Sequence, residues 1–242
     1  MNKTISTTAG TVTLARDGAR SFEAYLANSS DLAKPSAARR PAILVLSDMF
    51  GLNEPIRAVA DHYASRGHAA LVPNLFWRSA IPGAISYDDP QHATAWARLK
   101  ALDLDVVSAD MRAAADWLRA QPFANGKVAA IGFCGGGRFA FLAAVRCGVD
   151  AAASLYGLGI SQHLGEAANA RCPVQLHYGL KDQHIPRQEI DAVSAGVRGR
   201  PNVEVFLYPE AGHSFANPVR PTYDAAAATL AAGRIEAMLR AI

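Results

Sequence analysis

Cysteine is scarce in this chain. Only three of the 242 residues are cysteine, at positions 134, 147 and 172, and no two of them have the C-x-x-C spacing. An odd number at irregular spacing excludes a disulfide framework and a thiol–disulfide redox motif. The composition fits a reducing compartment, so we expect a cytoplasmic protein, and the question becomes whether one of the three thiols is reactive.

Long apolar runs and blocks of like charge are also missing. No uninterrupted apolar run is long enough to span a bilayer, and residues 1–10 are polar and threonine-rich, without the apolar core of a signal peptide. The net charge is +3, and the longest run of Lys and Arg is the pair Arg39-Arg40. We therefore expect neither a membrane nor a nucleic acid as partner.

What is present is the pattern of an α/β protein. Short apolar runs predict strands at 42–46, 69–72, 128–133, 151–155, 174–178 and 203–208, and amphipathic stretches predict helices at 55–65, 104–120, 138–145 and about 223–239. Residues 29–40 are predicted to be a surface loop between early strands. The alternation predicts a mostly parallel sheet with helices on both faces, in a single domain over residues 1–242. Ligands of such sheets bind at the carboxyl ends of the strands.

A glycine-rich turn follows the third of these strands. The segment Gly132-Phe133-Cys134-Gly135-Gly136 has the spacing G-x-C-x-G, which matches the strained strand-to-helix elbow of hydrolases with cysteine in place of serine. The glycines would relieve collisions around a nucleophile held at an unfavourable φ. The helix that begins here would favour a thiolate, and the N–H of Gly135 is the expected donor to an oxyanion. A buried structural thiol is the alternative for Cys134; a phosphate loop is disfavoured because its glycine spacings are absent. Cys147 and Cys172 are predicted to be structural.

Two later loops supply an acid and a base. In this fold the chain order is nucleophile, acid, histidine, each after a strand. Asp182 follows the strand 174–178, and His213 follows the strand 203–208 beside a glycine. An aspartate there can hold an imidazole in the required tautomer, although aspartate is also common as a turn or capping residue. The ordered set predicts a Cys134–His213–Asp182 triad.

Other candidates for the chemistry are weaker. Ser47 and Ser214 lack elbow glycines on both sides, His177 lies inside a strand, and His184 is near the acid and could line the site. No H-E-x-x-H or comparable cluster of ligands occurs, so we expect no metal.

With these motifs in place, the sequence resembles the dienelactone hydrolase family (carboxymethylenebutenolidases) from about residue 41 to the C-terminus. The resemblance is carried by Asp48-Met49-Phe50-Gly51-Leu52-Asn53, by residues 125–128 leading into the elbow, by the loop 179–186, and by Glu210-Ala211-Gly212-His213-Ser214-Phe215. It implies the α/β-hydrolase fold and a monomeric hydrolase of lactones or small esters that uses no cofactor.

The resemblance also assigns roles to individual residues. It assigns the catalytic triad to Cys134, Asp182 and His213. It also implies that Met49 and Gly135 donate backbone N–H groups to an oxyanion, and that Tyr156 is a pocket residue. Members of the family have a glutamate that contacts the resting thiol where this chain has Asp48, which is one methylene shorter.

A second departure concerns the substrate. The family's dienelactone enzymes place an arginine that binds the substrate carboxylate four residues after the histidine; this chain has Asn217 there, and Arg220 three residues further on. A second such arginine is expected before the long helix, within residues 89–98. We therefore expect the family's fold and triad, with the substrate left open. The alternatives are an esterase of the same fold with an unrelated substrate, or a non-catalytic protein that binds a small molecule.

Overall fold

The computed structural model describes residues 7–15, 20–29, 39–87 and 92–242. Within these residues the strands are β1 (Thr7–Ala15), β2 (Ser21–Ser29), β3 (Arg40–Leu46), β4 (Ala70–Pro73), β5 (Ala124–Phe133), β6 (Ala151–Leu155), β7 (Val174–Gly179) and β8 (Val203–Tyr208). The α-helices are α1 (Glu54–Ser65), α2 (His92–Lys100), α3 (Leu104–Arg119), α4 (Gly135–Leu142), α5 (Arg187–Gly196) and α6 (Ala225–Arg240). A π-helical turn, Ala143–Cys147, continues α4, and a 3₁₀-helical segment covers Ile160–Asn169.

The strands form a mixed sheet in the order β1-β2-β4-β3-β5-β6-β7-β8. Strand β2 is antiparallel to β1 and to β4, whereas β3 with β4, β6 with β7, and β7 with β8 are parallel pairs. The predicted α/β class with a mostly parallel sheet is confirmed.

The chain divides into two compact units, residues 1–129 and 130–242. In the first, helices α1 and α3 pack on the strands β1, β3 and β4. Helix α1 begins at a cap in which the Asn53 side chain accepts a hydrogen bond from the N–H of Ile56 (3.1 Å). The strand β3 is buried on both faces from residue 41 to residue 46, as expected for a strand between helical layers. The prediction of a single domain stays a prediction.

In the second unit the buried strands β6 and β7 carry the loops of interest at their carboxyl ends. Helices α4 and α6 pack on β6, and α5 packs on the 160–169 segment. The Asp224 side chain caps α6 by accepting a hydrogen bond from the N–H of Ala227 (3.0 Å). The unit therefore holds the ends of β5, β6, β7 and β8, which are the points where sequence analysis expects a ligand.

Most predicted elements are present within one or two residues, but three differ. Strand β5 begins at Ala124, four residues earlier than predicted, and α4 begins directly after Cys134. The predicted loop 29–40 has its ends in β2 and β3, and residues 30–38 lie outside the described residues. The described helices include none with the length and apolar character that crossing a membrane requires.

Candidate active site

Cys134 lies in a strained turn between β5 and α4. Its backbone has φ 56° and ψ −118°, a conformation that non-glycine residues rarely adopt. The Cys134 N–H donates to the carbonyl of Leu155 (3.1 Å), and its carbonyl accepts from the N–H groups of Gly137 (2.9 Å) and Leu158 (3.3 Å). These bonds to the end of β6 and to the following loop hold the strained backbone in place, as the elbow motif predicts.

The glycines of the turn are required for steric reasons. A Cβ on Gly132 would lie 1.9 Å from the carbonyl oxygen of Gly136, across the elbow. A Cβ on Gly137 would lie 2.6 Å from the Cα of Gly157, where α4 meets the end of β6. Both contacts are with backbone, which cannot move aside as a flexible side chain can. Packing therefore requires glycine at positions 132 and 137, of which Gly132 belongs to the G-x-C-x-G motif.

We expect Gly132→Ala to destabilise the protein by at least about 3 kcal/mol, because its new methyl group collides with backbone. The matched control is Gly233→Ala, in the middle of α6, where a Cβ meets nothing within 4 Å. There the change should stabilise the helix by about 1 kcal/mol. Urea unfolding of both variants measures the difference; an unchanged midpoint for Gly132→Ala would contradict the steric account.

The loops after β7 and β8 are joined to each other by backbone contacts. The N–H of Leu180 donates to the carbonyl of Tyr208, and the N–H of Lys181 donates to the carbonyl of Ala211, both at 2.9 Å. A Cβ on Gly179 would lie 2.3 Å from the Ala211 carbonyl oxygen, so the two loops touch. An exposed ion pair between Lys181 and Glu210 adds a side-chain link. The arrangement brings the residues after Lys181 and after Ala211 together.

Asp182 and His213 meet at this junction. The Asp182 Oδ2 lies 2.7 Å from Nδ1 of His213, and the two side chains are 1% and 11% exposed. The other carboxylate oxygen accepts from the N–H groups of His184 (2.7 Å) and Ile185 (3.0 Å). Asp182 is thus both the turn residue and the imidazole partner that the sequence left as alternatives. A carboxylate at Nδ1 favours the tautomer with the proton on Nδ1, so Nε2 is left as a proton acceptor.

Two rings flank the His213 imidazole. The Tyr156 ring centroid lies 5.1 Å from it, and the His184 ring meets it edge to face at 4.8 Å. Tyr156 is 2% exposed and has a φ of 41°, and its ring also packs on Phe215. Burial, and next the charge of His213, lowers the pKa of His184. The predicted pocket residue Tyr156 therefore packs against the histidine of the pair.

His177, which is fully buried in β7, is unsuited to proton transfer. His177 contacts the Tyr208 hydroxyl (2.7 Å) and the Gln175 side-chain oxygen (3.2 Å). Burial, with the charge of Arg234 second, lowers the pKa of His177 to about 3. Burial likewise raises the pKa of the Cys172 thiol to about 11. Both groups stay neutral at pH 7.

A separate turn in the first unit carries Met49. The carbonyl of Met49 accepts from Nε of Arg98 (2.9 Å), and the N–H of Phe50 donates to Asp48 Oδ1 (2.9 Å). The second Asp48 oxygen accepts from the Tyr87 hydroxyl (2.8 Å). The peptide between Met49 and Phe50 is therefore held at both its carbonyl and its N–H.

Arg98 is the only arginine within residues 89–98, where a substrate-binding arginine is expected. Besides the Met49 carbonyl, its guanidinium donates to the carbonyls of Ile81 (2.9 Å) and Gly83 (2.7 Å) and lies over the ring of Phe76. It is 6% exposed, and burial lowers its pKa. Through these contacts Arg98 stabilises the Met49 turn. Its role in binding substrate stays a prediction.

Asn217 and Arg220 lie in the turn that follows His213. The Asn217 side chain accepts from the N–H of Val219 (3.2 Å), and its carbonyl accepts from the N–H of Arg220 (3.0 Å). Ser214, directly after the histidine, has a φ of 63°. The Asn217 and Arg220 side chains are partly exposed, so the turn presents one amide and one guanidinium close to His213 in sequence.

Sequence comparison finds similar proteins in one family. The sequence model of the dienelactone hydrolase family matches residues 23–242. A carboxymethylenebutenolidase from Pseudomonas putida is 34% identical over 198 residues, which cover 81% of this chain and 84% of that protein.

Solved structures are similar over nearly the whole chain. The crystal structure of a candidate dienelactone hydrolase from Klebsiella pneumoniae subsp. pneumoniae has a TM-score of 0.83 at 26% identity, covering 97% of this chain and 99% of that chain. A dienelactone hydrolase-like promiscuous phosphotriesterase from metagenomic libraries has a TM-score of 0.79 at 25% identity, with 97% and 98% covered.

Proposed function

The chain belongs to the dienelactone hydrolase family, has the α/β-hydrolase fold and is a carboxylic ester hydrolase, and we propose that it cleaves a lactone or small ester with Cys134 as nucleophile. The observation that carries the proposal lies in the second unit. A cysteine occupies the strained elbow after β5, and the loops after β7 and β8 form a partly buried carboxylate–imidazole pair. A nucleophilic triad is built from these three kinds of group, which is what supports the proposal.

The first half-reaction forms a thiol ester. His213 Nε2 accepts the thiol proton of Cys134, and the sulfur attacks the carbonyl carbon of the substrate. The carbonyl oxygen becomes an oxyanion, which the N–H of Gly135 at the start of α4 would stabilise. When the oxyanion collapses, the bond from the carbonyl carbon to the ester oxygen breaks and His213 returns its proton to that oxygen. A lactone would open without losing an atom.

The second half-reaction releases the acid. His213, with its charge stabilised by Asp182, removes a proton from water, and the resulting hydroxide attacks the thiol ester. The carbon–sulfur bond breaks, and the thiolate recovers the proton. No step requires a cofactor or a metal, and we propose that the protein acts as a monomer.

The resemblance supplies three further roles for this proposal. Met49 would give a second backbone N–H to the oxyanion, Asp48 would modulate the thiol, and Tyr156 would line the pocket. The hydrogen bonds of Asp48 with the N–H of Phe50 and with the Tyr87 hydroxyl hold its carboxylate in place.

The substrate class is tested with a panel of activated esters and lactones, each in a neutral and a carboxylated form. We expect turnover of members of the panel, with one molecule of acid released for each bond cleaved. Binding of the same compounds without turnover would favour the alternative, a non-catalytic small-molecule-binding protein. Turnover of simple esters but of no lactone would favour the other alternative, an esterase with an unrelated substrate.

The preference for charged substrates should depend on position 217. Asparagine cannot form the charged, two-pronged contact with a carboxylate that arginine forms. We expect Asn217→Arg to raise kcat/KM for a carboxylated lactone over its neutral ester by roughly 10- to 100-fold, as a charge-assisted hydrogen bond allows.

The control for this prediction is Asn217→Gln, which lengthens the amide without adding charge and should leave the ratio near the parent value. The ratio of kcat/KM values for the two substrates is measured at low ionic strength. An unchanged ratio in Asn217→Arg would show that Arg220 or another residue already fills the role.

A further inference from the structure

Arg138 is a charged side chain beside the nucleophile that the proposed reaction does not use. It lies in the first turn of α4, four residues after Cys134. Side chains on a helix tilt toward its N-terminus. The Arg138 side chain is therefore directed back toward the end of α4 where Cys134 lies.

The loop after β6 contacts both residues. The N–H of Leu158 donates to the carbonyl of Cys134 (3.3 Å). Nη1 of Arg138 lies 3.5 Å from the position that a Cβ on Gly159 would occupy. Gly159 has a φ of 73°, a conformation that glycine adopts without strain. Successive residues of one loop thus bond to the nucleophile backbone and lie next to the guanidinium.

The hydrogen bonding of Arg138 differs from that of its neighbour Arg146. Arg146 makes two hydrogen bonds of 2.7 Å with Glu166, so its charge is compensated at close range. Nε of Arg138 is buried and finds no hydrogen-bond partner among the residues that the structure describes. The positive charge of Arg138 therefore acts on its surroundings with less local compensation.

Two titratable groups on neighbouring elements face Arg138. Glu189 approaches from α5 and His163 from the 160–169 segment. Burial lowers the pKa of Arg138, while the negative charges of Cys134 and Glu189 act in the opposite direction. Burial, followed by the charges of Arg138 and Arg146, lowers the pKa of His163, so that histidine is neutral at pH 7.

We propose that the Arg138 guanidinium stabilises the thiolate form of Cys134 and so makes this nucleophile reactive near neutral pH. Arg138 acts on the charge of Cys134 and contacts no reacting atom of the substrate. It is therefore a positioning residue and not a catalytic residue. The assignment deepens the proposed function and rests on it only in taking Cys134 as the nucleophile. A cation next to a thiol is a general means of raising the thiolate fraction.

The experiment is the rate of Cys134 alkylation by iodoacetamide against pH, read by peptide mass spectrometry. In Arg138→Met the apparent thiol pKa should rise by about one unit, so that the rate below that pKa falls about tenfold. Arg138→Lys keeps the charge and should stay close to the parent. Glu189→Gln removes the opposing charge and should shift the apparent pKa downward. The matched control is Arg146→Met, which removes a paired arginine and should leave the profile in place.

Cys172 serves as an internal control in the same digests. It is buried and its thiol pKa is raised to about 11, so it should label slowly in every folded variant. Fast labelling of Cys172 in Arg138→Met would mean that this variant is unfolded. The profiles of Arg138→Lys and Glu189→Gln would then test the proposal in its place. Any one of three results would show the proposal to be wrong. The first is a folded Arg138→Met that keeps the parent profile, and the second is a shift of the Glu189→Gln profile to higher pH. The third is an Arg138→Lys profile that shifts as far as that of a folded Arg138→Met.

These outcomes are separate from those of the proposed function. Alkylation reports the thiolate fraction and needs no turnover, so it can succeed even if the protein hydrolyses no ester. Conversely, hydrolysis that depends on Cys134 but is accompanied by an unchanged profile in Arg138→Met would keep the proposed function and remove only the role of Arg138.

Discussion

Replacing Cys134 with alanine is expected to lower kcat for ester hydrolysis by roughly 10⁴- to 10⁶-fold while leaving the fold intact, as deletions of triad nucleophiles do. The variant retains the α4 N-terminus and the Asp182–His213 pair, so weak residual hydrolysis from oxyanion stabilisation and binding should persist. An alanine side chain is smaller than the thiol that it replaces and fits the elbow. The loss should therefore fall on chemistry and not on stability.

The matched control is Cys172→Ala, which removes a buried thiol outside the elbow. Its kcat should stay within a few-fold of the parent, although lost packing should lower its stability. Both variants are compared by initial rates and by circular dichroism. A folded Cys134→Ala protein with activity within tenfold of the parent would exclude Cys134 as the nucleophile.

Asp182→Asn and His213→Ala are each expected to lower kcat by roughly 10³-fold or more, and the double variant by little more than the larger single loss. The reason is the 2.7 Å contact at Nδ1 of His213. An asparagine that keeps its oxygen on the His184 and Ile185 N–H groups turns its NH₂ toward Nδ1. The proton then moves to Nε2, and the imidazole loses its function as a base.

The measurement is kcat for both single variants and for the double variant at several pH values. Asp182→Glu is the control that keeps the charge and alters only the reach of the carboxylate, and it should lose less than Asp182→Asn. If the losses of the two single variants multiplied in the double variant, the acid and the histidine would act in independent steps.

The elbow was predictable from sequence because its requirements are local. Steric conflict across the turn demands glycine at position 132, and apolar periodicity indicates a strand before the turn and a helix after it. Strands β6 and β8 have the predicted bounds because short apolar runs between turns leave little choice of register.

Elements with mixed polarity were harder to predict. Strand β1 is threonine-rich and, among the described strands, pairs with β2 alone at one edge of the sheet, so it shows no continuous apolar run. Helix α2 has Arg98 facing inward, where three backbone carbonyls accept its hydrogen bonds. An arginine in a helix is normally a solvent-exposed residue, so nothing local marks this one as buried.

The sequence indicates the residues of the candidate site but not their contacts. The order of Cys134, Asp182 and His213 after successive strands is visible in the sequence. What joins the acid and the histidine is a set of backbone hydrogen bonds between residues 180–181 and residues 208 and 211, which no side-chain pattern encodes. The sequence does not indicate a role for Arg138 either, because its position relative to Glu189 and to the loop at Gly159 depends on tertiary structure.

Capture of the covalent intermediate tests the central claim most directly. The protein is mixed with an activated ester whose acylation step is fast, quenched in acid, digested, and examined by mass spectrometry for an acylated peptide. The account predicts an acyl group on Cys134, present within the first turnover and removed by neutral hydroxylamine. An acyl group on Ser47 or Ser214 instead, or turnover with Cys134 unmodified at every quench time, would contradict it.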